Sequence, residues 1–250
     1  MPSGSIYRYI TKKLTKGPIH MTLLDPGTTG AEEMGTLGSQ AQKAGTSAIM
    51  VGGSTHLSTE RVDECVLALR AHTSLPIILF PPSAATLSGY ADALYFMSML
   101  NSRDMRFIVG EQLKGAPLIR RLGLEPISMG YIIVEPGMTV AKIGQADLIQ
   151  RDDSERALHY SLMAQYLGMN LVYLEAGSGA PEPIPTDMVR TVRDQLEIPL
   201  IVGGGIRTPE QARDIAGAGA DIIVTGTLVE QTDDVTGALT PMIQAIGETK

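Results

Sequence analysis

Residues 171–179 read LVYLEAGSG: an apolar run ends in one carboxylate, Glu175, and a turn of small residues follows at once. Such a run is typical of a buried strand of a parallel sheet. Two similar turns follow later apolar runs, VGGGIR at residues 202–207 and VTGT at residues 224–227. Small residues leave backbone N–H groups open to phosphate oxygens. Three such turns in the last third of the chain indicate one shared phosphate site beside an acid.

The rest of the chain repeats the same unit. Short aliphatic runs alternate with helical patterns, which is the signature of βα units around a parallel sheet. Some helical patterns start with clear caps, as in Thr208-Pro209. Eight units in 250 residues predict a TIM (β/α)8 barrel that forms a single domain over residues 1–250. An open, doubly wound sheet is the alternative. The predicted strands are residues 19–24, 48–51, 77–80, 93–97, 129–134, 171–174, 200–202 and 221–224.

The third unit is irregular. Only residues 81–92 separate the third predicted strand from the fourth, and they include Pro81, Pro82 and Gly89, so a full outer helix does not fit. We therefore expect this helix to be missing or reduced. The gap is either a short connection without function or an opening in the barrel wall that leaves an apolar groove for a long hydrocarbon. The expected lining of such a groove is Tyr90, Tyr95, Phe96, Met97, Met99 and Leu100.

Composition excludes several classes of function. A net charge of −7 and a pI near 5.1 argue against a nucleic-acid partner, because such proteins usually carry a basic stripe. Every long apolar segment is broken well short of the ~20 residues needed to cross a bilayer. The first residues lack the pattern of a signal peptide, so a cytoplasmic location is expected. The single cysteine, Cys65, lies among Val62, Val66 and Leu69 at helical spacing, which predicts a buried thiol.

Polar residues follow the strands at the edge where barrel enzymes place their active sites. Asp25, before Pro26 and Gly27, is either a turn former or a ligand for a hard metal. Residues 52–55, GGST, end the neighbouring strand. This adjacency favours the metal-ligand interpretation, in which Asp25 and Ser54 bind the same Mg²⁺.

Glu175 has the stronger case for catalysis. A carboxylate beside a phosphate turn is well placed to take a proton from a phosphate-bearing substrate. The alternative is a structural ion pair with Arg207. Tyr173 either orients the substrate or fills the barrel.

Four stretches together resemble the geranylgeranylglyceryl phosphate synthase family, in its second, archaeal-type group. They are HMTLLDP at residues 20–26, GGST at 52–55, YLEAGSG at 173–179 and VGGGIR at 202–207. The chain departs from the family at Gly27-Thr28, where members often carry Asp-Lys. A lysine at that place is therefore not available to contact a diphosphate.

The resemblance implies a Mg²⁺-dependent prenyltransferase of archaeal membrane ether-lipid biosynthesis. It would join geranylgeranyl diphosphate to the 3-hydroxyl of sn-glycerol 1-phosphate through an ether bond and release diphosphate. Glu175 would be the general base, and Asp25 and Ser54 would hold Mg²⁺. A homo-oligomer and transient membrane contact for product release are also implied. The residues that would hold glycerol phosphate are Tyr173, Leu174, Glu175, Ala176, Gly177, Ser178, Gly179, Gly204, Gly205, Gly226 and Thr227.

Two other functions compete with this one. A phosphosugar isomerase or lyase on the same barrel would use Asp25 and Glu175 as an acid/base pair. It explains the glycine turns equally well, but it does not call for a shortened third unit. A non-catalytic prenyl carrier is the other class, and it would have little need of Glu175 within a phosphate site.

Overall fold

Eight parallel strands form a closed barrel in chain order in the computed structural model, which describes residues 4–53 and 57–249. Each strand pairs with the next, and β8 closes the ring on β1 through pairs such as Thr22 with Thr225. The predicted TIM barrel is confirmed. The strands are β1 (Ile19–Leu24), β2 (Ala48–Val51), β3 (Ile77–Leu79), β4 (Ala93–Met99), β5 (Glu125–Ile133), β6 (Leu171–Glu175), β7 (Leu200–Gly203) and β8 (Ile222–Thr225).

Helices surround the barrel on the outside. Several start at caps that the sequence predicts, and at α8 the Thr208 hydroxyl accepts the N–H of Gln211 while the Gln211 side chain returns to the Thr208 backbone. The helices are α1 (Ser5–Leu14), α2 (Ala31–Ala44), α3 (Thr59–His72), α4 (Glu111–Leu122), α5 (Met138–Ile143), α6 (Ser154–Tyr166), α7 (Thr186–Arg193), α8 (Pro209–Gly217), α9 (Thr227–Glu230) and α10 (Val235–Gly247).

The third outer helix is reduced, as the two prolines predict. Between β3 and β4 the chain forms only a 3₁₀ turn, Ala84–Thr86. The next helical segment, a π-helical stretch Arg106–Gly110 that runs into α4, covers part of the wall that a full helix would have covered.

Helix α1 closes the bottom of the barrel. The carboxylate of Glu125, at the start of β5, accepts the N–H groups of Ile6 and Tyr7, each at 2.8 Å. Ile10 is completely buried beneath the barrel interior. This end is therefore sealed, and the opposite end, where the strands terminate, is the open mouth.

Apolar side chains fill both the barrel interior and the layer between barrel and helices. Cys65 lies fully buried in the outer layer, which confirms the predicted thiol. Across the described ranges we find no helix long and apolar enough to cross a membrane.

Candidate active site

Glu175 is the last residue of β6, and its carboxylate is held at the barrel mouth. Oε1 accepts the backbone N–H of Gly177 at 2.6 Å. The hydroxyl of Tyr131 lies 3.4 Å from Oε2. The residue is only 5% exposed. The turn after β6 thus bends back far enough for its own amide to fix the carboxylate.

Burial controls the protonation of this group. Desolvation raises the pKa of Glu175, and the hydrogen bonds from Gly177, Tyr173 and Tyr131 oppose that shift only in part. Burial and the nearby Glu175 charge also raise the pKa of the Tyr131 and Tyr173 hydroxyls well above the usual range. Both tyrosines therefore stay protonated and able to donate. Glu175 is a stronger base than an exposed glutamate.

An aromatic floor lies below Glu175. The ring of Phe80 meets Tyr131 edge-on at 5.3 Å between centroids and stacks on Tyr173 at 5.9 Å. Tyr131 and Tyr173 also meet edge-on, at 5.2 Å. These are favourable aromatic geometries. Tyr173 therefore fills the barrel, as one of the two sequence interpretations proposed, and its hydroxyl hydrogen-bonds to the Glu175 carboxylate. That Tyr173 orients the substrate stays a prediction.

The turn after β7 needs glycine at two positions. Gly204 has φ +84° and Gly205 has φ +74°, a region that other residues rarely adopt. A Cβ at position 204 would lie 2.5 Å from Oε1 of Glu175, and one at 205 would collide with the carbonyl of Glu182. The bare backbone lets this turn pack directly against the carboxylate.

These turns enclose a polar cavity of about 420 Å³. The hydroxyls of Ser178 and Thr227, both in its lining, hydrogen-bond to each other at 3.0 Å. The predicted site residues that line it are Tyr173, Glu175, Ser178, Gly179, Gly204, Gly205, Gly226 and Thr227. The structure thus brings most of the predicted set together.

Three predicted residues do not line the cavity. Leu174 and Ala176 alternate with Tyr173 and Glu175, so their side chains face the outer layer and are fully buried there. The amide of Gly177 donates to Glu175 and is not free for a ligand. The role of Gly177 is to position the carboxylate.

Arg207 lines the polar cavity, although the sequence interpretation did not count it among the substrate-binding residues. Its guanidinium donates to the carbonyls of Pro181 and Gly179, at 3.0 and 3.1 Å. Within residues 4–53 and 57–249, neither Arg207 nor Glu175 takes part in a salt bridge; the arginines that do include Arg151, Arg190 and Arg193. The predicted alternative, an ion pair between Arg207 and Glu175, is therefore wrong. Its place in the VGGGIR motif, directly after the glycine turn, was the available signal.

Asp25, at the end of β1, faces a larger central cavity of about 920 Å³ that also contains Glu175. Its Oδ1 accepts the N–H of Gly27 at 2.7 Å, and burial raises its pKa. A Cβ at Gly53 would collide with the carboxylate, so glycine is needed at that place. Ser54, the second predicted metal ligand, lies outside the described residues.

Glu230, at the end of α9, is a second carboxylate at the central cavity, and the sequence interpretation missed it. The hydroxyl of Thr28 donates to its Oε1 at 3.4 Å. Burial, and next the charge of Asp25, raise the pKa of Glu230. The two carboxylates therefore face the same cavity and repel each other electrostatically.

This donor set fits Mg²⁺. Among the residues that the structure describes there is no cluster of three or more metal-ligating side chains. Mg²⁺ is usually held by one or two carboxylates together with water and substrate phosphate. Asp25 and Glu230 supply two such carboxylates beside open space.

An apolar groove of about 510 Å³ opens in the wall beside the reduced third unit. Pro82, Met97, Met99 and Phe107 line both this groove and the central cavity, so the two spaces adjoin. Tyr95, Phe96, Met97 and Met99 line the groove as predicted.

Two residues predicted for the groove lie elsewhere. Tyr90 is 49% exposed on the surface. Leu100, one residue after β4, packs in the outer layer against Gly130. The face that each residue takes in this wall follows from the β4–β5 pairing, which the local sequence does not show.

Comparison with known proteins agrees with this geometry. Residues 9–250 match the model of the PcrB family. The chain belongs to the PcrB family. Two relatives are named geranylgeranylglyceryl phosphate synthase. The one from Thermococcus gammatolerans is 52% identical over 232 residues, 93% of this chain and 92% of the relative. The one from Thermoplasma acidophilum is 48% identical over 237 residues, 95% and 94% of the two chains.

A solved structure extends the match to three dimensions. It is the crystal structure of (S)-3-O-geranylgeranylglyceryl phosphate synthase from Thermoplasma acidophilum in complex with the substrate sn-glycerol-1-phosphate. The TM-score is 0.95 at 45% identity, over 99% of this PcrB-family chain and 100% of the other. The family resemblance inferred from four short stretches is confirmed.

Proposed function

We propose that this protein transfers a geranylgeranyl group from its diphosphate to the 3-hydroxyl of sn-glycerol 1-phosphate, with Mg²⁺, and releases diphosphate. One observation carries the proposal. Glu175 lines both the polar glycine-walled cavity and the central cavity, and the central cavity adjoins an apolar groove. A base between a phosphate site and a hydrocarbon site is what this reaction requires.

Glycerol phosphate binds in the polar cavity. The backbone at Gly204 and Gly205, and the hydroxyls of Ser178 and Thr227, line this cavity, and such N–H and O–H groups donate hydrogen bonds to phosphate oxygens. Arg207 lines the same cavity and adds positive charge there. The Thermoplasma acidophilum relative, solved with sn-glycerol-1-phosphate, supports this choice of ligand.

Glu175 removes the proton of the 3-hydroxyl. Its Oε1 is engaged by Gly177 at 2.6 Å, whereas the contact of Oε2 with Tyr131 is longer, at 3.4 Å. Oε2 is therefore the oxygen that accepts the proton. The raised pKa of this carboxyl strengthens the base, and the fixed Oε1 keeps it aimed at one place.

Asp25 and Glu230 hold Mg²⁺, with Ser54 as the further ligand that the sequence predicts. When bound, the metal neutralises the charge that develops on the leaving diphosphate. The two carboxylates fix the end of the central cavity at which the diphosphate binds. The prenyl carbon that reacts then lies between this end and Glu175.

The apolar groove holds the hydrocarbon tail and excludes water from the reacting carbon. Burial stabilises a bound chain by about 0.8 kcal/mol per CH₂. Binding energy from the remote tail thus positions the reacting end. The groove exists because the third outer helix is reduced to a single turn; a full helix would occupy the same space.

The isomerase alternative has less support. It leaves the apolar groove without a ligand, and relatives about half identical to this chain carry the synthase name. We further propose, as the resemblance implied, that the protein is a cytoplasmic homo-oligomer that contacts membranes transiently for product release.

The test is a transfer assay. Purified protein is incubated with geranylgeranyl diphosphate and radiolabelled sn-glycerol 1-phosphate, with Mg²⁺ or with EDTA, and label is followed into an organic phase. The proposal predicts extraction of label with Mg²⁺ and little with EDTA. Folded protein that gives no extractable product with prenyl diphosphates of several lengths would contradict it.

A further inference from the structure

One helical segment carries apolar side chains on the face that points away from the protein. Met105, Val109 and Leu113 are 64%, 45% and 74% exposed. They recur every four residues along the π-helical stretch and α4, so they lie on one face. The opposite face of the same segment, with Phe107 and Gly115, lines the apolar groove. Core packing therefore does not explain the outer residues.

The same outer face is basic. Arg106, Lys114, Arg120 and Arg121 are all exposed. The only acid in residues 105–122 is Glu111. Its carboxylate is turned inward, where it accepts the N–H of Ala84 at 2.9 Å, and its side chain is only 17% exposed.

Two of these cations have acidic neighbours and still reach solvent. Arg106 lies 3.6 Å from Asp104, and Lys114 lies 2.9 Å from Glu111, with 48% and 64% of the two basic side chains exposed. Within the described part of the chain, no ion pair involves Arg120 or Arg121 (the pairs found use other cations). A local excess of positive charge on a chain of net charge −7 is a marked asymmetry.

We propose that this outer face, formed by Met105, Val109, Leu113, Arg106, Lys114, Arg120 and Arg121, docks the protein on the surface of an anionic lipid bilayer. Apolar residues flanked by Lys and Arg on one helix face are the pattern of helices that lie in the membrane interface. The apolar tips enter the boundary between headgroups and acyl chains, and the cations contact anionic headgroups.

Charge also argues against a second copy of this chain as the occupant. A two-fold interface brings the same patch of both subunits together. The excess of positive charge that Arg120 and Arg121 leave on this face would then meet the same excess on the partner, which is unfavourable. An anionic surface is the complementary partner.

Docking has a consequence that rests on the proposed function. Because one helix carries the docking face outside and the groove inside, a docked protein holds its groove next to the bilayer. A long-chain substrate or product then moves between membrane and groove over a short path. Binding to vesicles needs no prenyl substrate, so failure of docking and failure of the transferase are separable results.

The test is sedimentation of the full-length protein with vesicles of diphytanoyl phosphatidylglycerol, compared with diphytanoyl phosphatidylcholine, at low and high salt. We expect binding to the anionic vesicles that weakens as salt screens the cations. Arg120→Gln with Arg121→Gln should weaken binding at least tenfold, because each basic residue near an anionic surface contributes about fivefold to the affinity. Separately, Leu113→Ser with Met105→Ser should also weaken binding at least tenfold, because it removes the apolar side chains that enter the bilayer.

Matched variants remove equivalent groups elsewhere. Tyr166→Ser with Leu167→Ser removes two exposed apolar residues at the end of α6, and Lys12→Gln with Lys43→Gln removes two exposed charges. Both pairs should bind like the original protein. The proposal is wrong if the original protein does not bind anionic vesicles at low salt, or if the control pairs lose binding equally. It is also wrong if the Met105/Leu113 pair only dissociates an oligomer in light scattering and leaves vesicle binding intact.

Discussion

The backbone N–H of Gly177 donates to Oε1 of Glu175 across 2.6 Å. The turn that follows β6 therefore holds the carboxylate that ends β6. One short stretch of chain supplies both the proposed base and the amide that fixes its orientation, and Gly204 packs against the same oxygen. The site is sensitive to small changes at either turn, and several measurements follow from this arrangement.

Stability should depend on the charge of Glu175. Burial raises its folded-state pKa above its ordinary value of 4.5. The associated stability is fully present below pH ~4.5 and is lost as pH rises through the raised pKa. Glu175→Gln carries no charge to bury, so we expect it to melt at a higher temperature than the original protein at pH 8. The difference should shrink toward pH ~4.5 in calorimetry.

The control for that comparison is Glu197→Gln, a change of the same chemistry at an exposed residue, which should show no such trend. If Glu175→Gln melts lower at pH 8, or equally at every pH, the buried charge of Glu175 does not destabilise the folded protein and this prediction is wrong.

Gly204→Ala should weaken substrate binding at the proposed phosphate site beyond its effect on folding. Positive φ strains alanine by about 1–3 kcal/mol, which lowers the melting temperature by about 2–4 °C per kcal/mol in a chain of this size. The new Cβ also lies 2.5 Å from Oε1 of Glu175. We expect binding of sn-glycerol 1-phosphate, measured by calorimetry, to weaken at least tenfold.

Gly168→Ala separates strain from collision. Gly168 has φ +76°, close to that of Gly204, but a Cβ there meets nothing within 4 Å. It should lose similar stability and keep full binding of the substrate. Equal loss of binding in both variants would remove the argument for close packing at Gly204.

Asp25→Asn should weaken metal binding. With one of two carboxylates neutralised, we expect the affinity for Mn²⁺, used as a paramagnetic substitute for Mg²⁺ in the presence of inorganic diphosphate, to fall at least tenfold. Glu230→Gln should lower it in the same direction, because Glu230 faces the same cavity. Glu197→Gln, at an exposed carboxylate between α7 and β7, is the control and should leave the affinity unchanged. Unaltered Mn²⁺ affinity in Asp25→Asn would place the metal elsewhere.

The groove can be filled at Gly115. Its Cβ would meet Ala84, Ile119 and Leu87 at 3.6–3.9 Å, ordinary contact distances. Gly115→Ala should therefore fold well, stabilised by about 1 kcal/mol through helix propensity. Gly115→Met should raise KM for geranylgeranyl diphosphate, by about fourfold for each methylene it excludes, and spare short prenyl diphosphates. Equal kinetics for long and short substrates would show that the tail binds outside this groove.

Local patterns in the sequence predict most of the barrel. The bounds of β1 and β2 agree with the prediction, because β2 is an uninterrupted apolar run, AIMV, and β1, IHMTLL, is mostly aliphatic and ends at Asp25-Pro26. β5 begins four residues earlier than predicted, at Glu125. A charge followed by Pro126 argues against a strand, but the carboxylate of Glu125 is used by the amides of α1, more than 100 residues away in the chain. No local pattern contains that contact.

The candidate site shows the same limit. The glycine turns and Glu175 could be predicted because the residues that mark each of them lie within a few positions of one another in the sequence. Glu230 was missed because it meets Asp25 only when β8 pairs with β1 and closes the barrel. The outward placement of Leu174 and Ala176 follows from strand alternation and was predictable. They were included only because the family resemblance assigned the whole stretch 173–179 to substrate binding.

The most direct measurement is a pair of readouts on Glu175→Gln: the turnover number for ether formation, and the dissociation constant of sn-glycerol 1-phosphate. If Glu175 is the base, turnover falls roughly 100- to 10,000-fold, while glycerol phosphate still binds with a dissociation constant within a few-fold of the original. Glu175→Gln protein that turns over normally would contradict the central claim, since the proton of the 3-hydroxyl would then leave by another route.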